Sequence, residues 1–183
     1  MLFRSYDAAT GKVVGTGTTA AVPLGTATIN IGTFSGTIVV KVDGGANVNY
    51  LDERDTTKLY NFPAGSSLLA VIPNVGGGNI SVGVTQLTNM IAASLGVTSS
   101  SFSGGAFVPP ATPLTSTNVY AKVDYVLSQF GLTRSDIDPF GKPVVFGVDM
   151  VGRPAAAPAR PSPMTRSRSF SSDTAPSMTS TTS

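Results

Sequence analysis

The chain of 183 residues is predicted to be mainly β, an antiparallel β-sandwich followed by two helices and a disordered tail. Up to about residue 84, apolar residues alternate along short segments, and turn residues separate these segments at roughly 8- to 12-residue spacing. The apolar spacing then changes to three and four, the period of an amphipathic helix. After Met150 large apolar residues almost disappear. Two stacked sheets are the simplest way to bury such alternating faces.

The predicted strands follow one another without an intervening helix. LFRSY and KVVGTGT flank the turn DAATG, whose glycine supplies a positive φ. In GTIVVKVDGG, one face carries Ile38, Val40 and Val42, and the other face carries Val39 and Lys41. The remaining predicted strands are TATINI, NVNYL, KLYNF, SLLAVI and NISVGV, and VGGGN before the last of them predicts a hairpin turn.

Two amphipathic helices are predicted after the strands. Thr85 caps the first helix, and Gly96 ends it in a left-handed conformation. Ser116 or Thr117 caps the second helix, which ends at Gly131. The apolar stripes are Leu87, Met90, Ile91 and Leu95 in the first helix, and Val119, Val123, Val126, Leu127 and Phe130 in the second. We expect the helices to cover each other as a hairpin or to lie on the end of the sandwich.

The chain divides into three predicted segments: a sandwich at 1–84, a helical extension at 85–150 and a tail at 151–183. The extension contains a long connector, VTSSSFSGGAFVPPATPLTS, which is expected to be a mobile loop. A helical turn at 133–137 and a short strand at 143–148 are expected after the second helix. The tail has too little apolar surface to offset its chain entropy and is predicted to be disordered. Because structural patterning stops near residue 152, truncation or a shifted reading frame is one hypothesis for its origin.

Charge and composition narrow the classes of partner. Up to Met150 there are eight Lys and Arg residues against nine Asp and Glu, and after it four Arg against one Asp, so the net charge of +2 belongs to the tail. No basic face for nucleic acid is therefore expected on the folded part. The start, MLFRSYDAATG, lacks the apolar core of a signal peptide. No apolar run approaches the ~18 residues of a membrane helix, so no membrane span is expected in this chain.

Catalytic chemistry is disfavoured by the residue types present. The chain has no His and no Cys, which excludes Ser-His-Asp triads, Cys-His dyads and zinc sites of the usual kind. Glu53 is the only glutamate, and on a strand its neighbour Asp52 would face the opposite way, which disfavours a glycosidase carboxylate pair. We therefore expect a protein that is not an enzyme and that carries no cofactor.

The acidic segment LDERD is a candidate calcium site. Asp52, Glu53 and Asp55 offer the hard oxygen ligands that Ca²⁺ prefers. The segment lacks the glycine spacing and the distal glutamate of an EF-hand, and Arg54 lies within it. A solvated loop with local ion pairs is the favoured interpretation.

Four aromatic residues are candidates for ligand contact: Tyr50, Tyr60, Phe102 and Phe107. Aromatic rings can stack on a sugar, but on strands they are more often core or cross-strand partners. The two phenylalanines lie in the long connector, where an apolar residue either docks on the body or contacts a partner.

The segment YDAATGKVVGTGTT resembles the opening of bacterial carboxypeptidase-regulatory-like and other Ig-like, prealbumin-type surface modules. Those modules begin with a strand, an Asp-x-x-Thr-Gly-Lys turn and a second strand. FSGTIVVKVDGGANVNYLDE, FPAGSSLLAVIPN and ISVGVTQLTNMIAASLG are similar to predicted secreted or lipid-anchored proteins of proteobacteria. In these proteins a sandwich leads through a T-x-L-T helix into a helical segment ending in FGL. The resemblance covers about residues 5 to 145, but the chain lacks their signal peptide and lipobox cysteine.

The resemblance implies an Ig-like fold and a place in the bacterial cell envelope or outside the cell. It implies a non-catalytic role in adhesion, spacing or ligand presentation, with an unknown protein or glycan at the cell surface as partner. It brings no catalytic residues with it. The alternatives are an accessory carbohydrate- or substrate-binding module of a larger enzyme, and a phage or secretion-system structural subunit.

Overall fold

The computed structural model describes residues 2–18, 26–46, 48–51 and 59–140. The protein is mainly β with antiparallel sheets and two helices, as the sequence predicts. The predicted strand at 143–148 and the predicted disordered tail lie outside the described residues. The strands are β1 (Leu2–Asp7), β2 (Val13–Thr18), β3 (Thr26–Asn30), β4 (Gly36–Asp43), β5 (Asn49–Leu51), β6 (Leu59–Asn61), β7 (Ser67–Val75), β8 (Asn79–Gly83), β9 (Phe102–Ser103) and β10 (Ala106–Phe107). The helices are α1 (Gln86–Ser94) and α2 (Ser116–Ser128).

The central layer is a four-stranded antiparallel sheet in the order β2-β1-β4-β7. Val39 in β4 lies opposite Tyr6 in β1 and Val71 in β7, and these three side chains belong to one core. Val40, the next residue, belongs to the core on the opposite face. Both faces of β4 are therefore buried, because strand residues alternate between two covered sides.

The first core lies between this sheet and the two-stranded sheet β3-β8. The four-stranded sheet contributes Phe3, Ile38, Val40, Val42, Ala70 and Ile72 to it, and the facing strands and their ends contribute Ile29, Ile31, Val82 and Val84. Each Val, Ile or Phe side chain among them stabilises the fold by about 1.5–3 kcal/mol when it leaves water. The predicted face of Ile38, Val40 and Val42 is thus the interior between two layers.

The second core lies on the other face of the four-stranded sheet, where α1 and α2 pack against it and against each other. The helices cover the face of the sheet rather than its end, so the Val39 face is also interior. Their contribution to this core is Leu87, Ile91, Ala92, Leu95, Val119, Val123, Val126 and Leu127.

Two residues of the predicted helix stripes are exposed. Met90 lies outside the buried arc of α1, which is centred between Leu87 and Ala92 and includes the fully buried Thr88. Phe130 is exposed because α2 ends at Ser128, so the helical period no longer applies to it.

The start of α1 explains how a strand runs directly into a helix. The Thr88 N–H donates to Thr85 Oγ1 (3.2 Å), and the Thr85 N–H donates to Thr88 Oγ1 (2.8 Å). This capping box provides hydrogen-bond acceptors for two backbone N–H groups at the start of the helix. The helix can therefore begin directly after the strand, without a loop between them. Gly96 follows with φ +77°, so both predicted ends of α1 are confirmed.

The cap of α2 is Thr115 rather than Ser116 or Thr117. Thr115 Oγ1 accepts from the N–H of Asn118 at 3.3 Å. The Ser116 hydroxyl is instead used in a contact between elements, donating to Asn74 Oδ1 at 2.5 Å. Gly131 has φ +68°, which agrees with the predicted end of this helical segment.

We expect Thr85→Ala to lower the free energy of unfolding by about 1–2 kcal/mol, since a lost N-cap typically costs this amount. The loss falls at the upper end because Thr85 and Thr88 are both buried. Urea denaturation of the full chain measures it. Thr112→Ala, at an exposed connector position, is the control and should change the free energy by less than about 0.5 kcal/mol. Equal values for the two variants would contradict the capping argument.

The VGGGN stretch does not form the predicted hairpin, because β7 and β8 belong to different sheets. The chain crosses here from the four-stranded sheet to β3-β8. The crossing is held by the N–H of Ile31, which donates to the Gly78 carbonyl at 2.9 Å, and by the Gly78 N–H, which donates to Gly32. The strand that pairs with β8 is β3, which lies about fifty residues earlier in the sequence. The turn-forming glycines predicted pairing of β8 with the strand before them, and this prediction was wrong.

The long connector, which was expected to be a mobile loop, contains regular structure. A 3₁₀ turn at Ser99–Ser101 leads into the hairpin β9–β10, whose turn is made by Gly104 and Gly105, both at positive φ. The Phe107 N–H donates to the Gly11 carbonyl at 3.2 Å, which joins this hairpin to the β1–β2 turn. The connector is thereby part of the second core.

Candidate functional site

The proposed calcium ligands cannot be placed in the fold, because Asp52, Glu53 and Asp55 lie outside the described residues. Within the described ranges, no group of three or more acidic side chains is arranged to hold a metal ion.

The strands β5 and β6 form a short two-stranded ribbon, which we call the tyrosine ribbon (49–51 and 59–61). Tyr50 lies opposite Tyr60 in its register, so two of the four aromatic candidates occupy paired positions of the ribbon. Leu59 is 63% exposed and Tyr60 is 46% exposed. Successive strand residues point to opposite faces, so both faces of β6 present apolar surface to solvent. The ribbon joins the body through the Phe62 side chain, which is buried in the first core. The Phe62 N–H donates to the Val48 carbonyl at 2.7 Å, which continues the pairing of the ribbon by one step.

The other two aromatic candidates dock on the body. Tyr6, Phe102 and Phe107 form an aromatic cluster in which ring centroids lie 5.2 to 6.3 Å apart. Phe107 is 3% exposed, so it is a core residue and is not accessible as a ligand platform. Phe102 is half-buried, and the Lys41 ammonium lies 5.1 Å from its ring centroid. A cation over a ring face is attracted electrostatically, which favours a structural role for Phe102.

A charged group lies beside this cluster, where β1 begins and β4 ends. Lys41 Nζ is 2.6 Å from Asp43 Oδ1, and Arg4 Nη1 is 3.6 Å from Asp43 Oδ2. The three side chains share one face of the sheet, since Arg4 lies opposite Lys41 and Asp43 lies two residues further along the same strand. Asp43 in turn lies opposite Ser67 at the start of β7. At this end of the sheet, Arg4 and Lys41 therefore both form an ion pair with Asp43.

A cleft of about 390 Å³ with several polar lining residues lies between the start of β7, α1 and the 3₁₀ turn. We call it the polar cleft, and its main lining residues are Ser66, Ser67, Leu69, Asn89, Thr98 and Ser99. Serine and threonine hydroxyls both donate and accept hydrogen bonds, and an amide side chain does the same with separate atoms. The cleft therefore presents several hydrogen-bonding groups over a small area.

Asn89 sets the chemistry of the polar cleft. Its Oδ1 accepts the backbone N–H of Leu69 at 3.1 Å, which fixes the amide against the edge strand β7. Its Nδ2 group donates to no acceptor among the described residues. Every buried side-chain nitrogen and oxygen in the described ranges has a hydrogen-bond partner, so an unpaired Nδ2 is not buried. Nδ2 is therefore in reach of solvent and available to a ligand. The sequence carries no signal for this site, because Asn89 reads as an ordinary polar-face residue and its partner lies twenty residues away.

A second, larger groove of about 560 Å³ lies between the β1–β2 turn and the proline-rich part of the connector. Phe34, Pro109 and Pro113 are among its lining residues, and Asp7 contributes its only carboxylate. That carboxylate already accepts from the Ala9 N–H at 2.9 Å and from the Thr10 hydroxyl at 2.5 Å. These two hydrogen bonds shape the β1–β2 turn, so the Asp7 carboxylate is less available to a ligand in this groove.

Comparison of the chain with protein-family models, with curated proteins and with solved structures gives no match. In the part of the chain that the structure describes, neither helix is long and apolar enough to cross a membrane.

Proposed function

We propose that this chain is a non-catalytic module of a bacterial cell-envelope or secreted protein, built on an Ig-like sandwich, that presents a contact surface for adhesion or ligand binding. The observation that carries the proposal is the tyrosine ribbon. It leaves Leu59 63% and Tyr60 46% exposed on opposite faces of β6, outside both cores. The resemblance of the opening strands and their turn to bacterial surface modules supports the same conclusion.

The physical argument concerns the stability of such a ribbon. A two-stranded hairpin with three-residue strands is at best marginally stable by itself. Large apolar side chains on both of its faces gain free energy when a partner covers them. Tyrosine is also enriched among the residues that dominate binding energy at protein interfaces. The ribbon is therefore the part of the described surface that is best suited to contact a protein or glycan at the cell surface.

We expect the double variant Leu59→Ser, Tyr60→Ser to reduce adhesion of the full chain at least about tenfold, because it removes the apolar surface of the ribbon. The measurement is retention of beads coated with the chain on purified mucin, fibronectin, peptidoglycan and lipopolysaccharide. Tyr125→Ser is the matched control, since Tyr125 is 58% exposed on α2.

Thermal unfolding should show that both variants remain folded. The proposal would be contradicted if the coated beads bound none of the four surfaces, or if Tyr125→Ser reduced adhesion as much as the ribbon variant.

A further inference from the structure

We propose that the polar cleft is a binding site for one neutral sugar ring, a hexopyranose or a terminal hexose of a glycan. This site is separate from the tyrosine ribbon and does not depend on the function proposed for it. The inference rests on the hydrogen-bonding groups of the cleft, on its apolar wall, on its size and on the closed edge of β7.

The available hydrogen-bonding groups match those of a sugar. Asn89 Nδ2 is a donor without an acceptor among the described residues. The hydroxyls of Ser66, Ser67 and Ser99 also make no hydrogen bond within the described part of the chain. Each hydroxyl can donate one bond and accept two, and the hydroxyl groups of a pyranose have the same dual capacity. A ligand rich in hydroxyls can therefore satisfy all four groups, whereas an acceptor-only anion cannot use the acceptor capacity of the serines.

The cleft also has an apolar side. Leu69, Ala93 and Val97 line it together with the polar groups. The C–H face of a pyranose buries well against such a surface, since apolar contact contributes in proportion to the area removed from water. None of the described lining residues carries a charge, and the nearby Lys41 and Asp43 are paired with each other at 2.6 Å. A neutral ligand is favoured over a phosphate or carboxylate for this reason.

The size of the site limits the ligand. A cleft of about 390 Å³ is near the lower end of small-molecule sites, which span about 300–1,000 Å³. One ring fits this volume, and further units of a glycan would extend into solvent.

An alternative ligand for this part of the surface is a peptide that adds as a strand to the edge of β7. Such a ligand binds through unpaired backbone groups along the edge. Here the outward N–H of Leu69 is already taken by Asn89, and Pro73 in the same strand has no N–H to offer. These two features are typical of an edge protected against strand addition, so the observations favour a sugar over a peptide.

The experiment is a titration of the ¹⁵N-labelled full chain with methyl α-D-glucopyranoside, methyl α-D-mannopyranoside and methyl β-D-galactopyranoside, followed by NMR. We expect one or more of them to shift the Leu69 and Ser99 amide signals and the Asn89 side-chain NH₂ signal. The expected Kd is about 1 mM, which is typical of a few hydrogen bonds and one apolar contact.

Asn89→Asp is the decisive variant. An aspartate retains an oxygen for the Leu69 N–H but loses the Nδ2 donor, so the edge contact is kept while the ligand contact is removed. We expect binding to weaken at least about tenfold, since a sugar hydroxyl that leaves water would lose its hydrogen-bond donor. Asn79→Asp introduces the same charge at an exposed position of β8 and is the matched control, with unchanged binding expected.

Three results would overturn the inference. The first is the absence of shifts with all three glycosides at about a hundredfold excess over the expected Kd. The second is equal binding by Asn89→Asp and the wild-type chain. The third is a preference for ionised methyl α-D-glucopyranosiduronate, whose C6 carboxylate is charged, or for the strand peptide Val-Thr-Val-Thr-Val amide, at the same signals. Adhesion through the tyrosine ribbon is tested separately, with the double variant Leu59→Ser, Tyr60→Ser in the bead assay. A negative result in one of the two experiments therefore does not contradict the other proposal.

Discussion

Replacing Gly15 by valine is expected to lower the free energy of unfolding by about 3 kcal/mol or more. A Cβ at this position would lie 2.5 Å from the Asn30 carbonyl oxygen, 2.8 Å from Ser5 Oγ and 2.9 Å from Ile29 Cγ2. Two of these atoms belong to β3 in the opposite sheet. Gly15 is therefore a position at which the backbones of β2 and β3 approach closely, and a side chain there would push the two layers apart.

The clash at Gly15 cannot be relieved locally. The Asn30 oxygen is backbone, and β3 is tied to β8 along its whole length by antiparallel pairing. Ser5 is fully buried and donates its hydroxyl to the Gly15 carbonyl at 3.1 Å, so its side chain is also fixed. Moving β3 away would open the core that Ile29 shares with Val40 and Val82. Packed cores respond to such insertions with strain rather than smooth expansion.

Urea denaturation of the full chain measures the effect. Gly76→Ala is the control, because a Cβ at Gly76 meets nothing within 4 Å and its φ is not in the left-handed region. That variant should change the free energy by less than about 1 kcal/mol, and the added side chain can stabilise slightly by restricting the unfolded chain. If Gly15→Val unfolded at the same urea concentration as Gly76→Ala, the close approach of β2 and β3 would not exist in solution.

The local pattern of the sequence was enough to predict the first eight strands and the two α-helices. Alternation located the eight strands from Leu2 to Gly83, and the change of period located α1 and α2. The Thr85 cap and the turn glycine Gly96 were also predictable, since a cap depends on residues only a few positions apart. These features depend on residues that are close together in the sequence, so they can be predicted without the tertiary structure.

The arrangement of the elements was not predictable in the same way. The glycines before β8 are compatible with a hairpin, and only the pairing of β8 with β3 shows that the chain changes sheets there. Lys41 in β4 suggests a solvated face, but the hairpin β9–β10 covers it through Phe102. The polar cleft depends on the Asn89–Leu69 contact, which no periodicity encodes. Each of these features is set by a long-range contact, and such contacts leave no local pattern.

The second large effect is expected for Gly11→Ala. Gly11 has φ +73°, a conformation that costs alanine about 1–2 kcal/mol. A Cβ there would also lie directly against the carbonyl oxygen of Phe107, which is backbone of the docked hairpin. We expect a total loss of about 2–4 kcal/mol, because the hairpin must move away from the turn and expose the aromatic cluster.

A matched variant separates the two causes. Gly104 has φ +59°, and a Cβ at Gly104 meets nothing within 4 Å, so Gly104→Ala carries the conformational cost without the collision. Urea denaturation should therefore rank Gly11→Ala below Gly104→Ala in stability by about 1–2 kcal/mol. Hydrogen exchange adds a local test, because only Gly11→Ala should speed exchange at the Phe107 amide, whose acceptor is the Gly11 carbonyl. If the Phe107 amide exchanged at the same rate in both variants, the β1–β2 turn would not hold the hairpin in place. Phe102 and Phe107 would then again be candidates for contact with a partner.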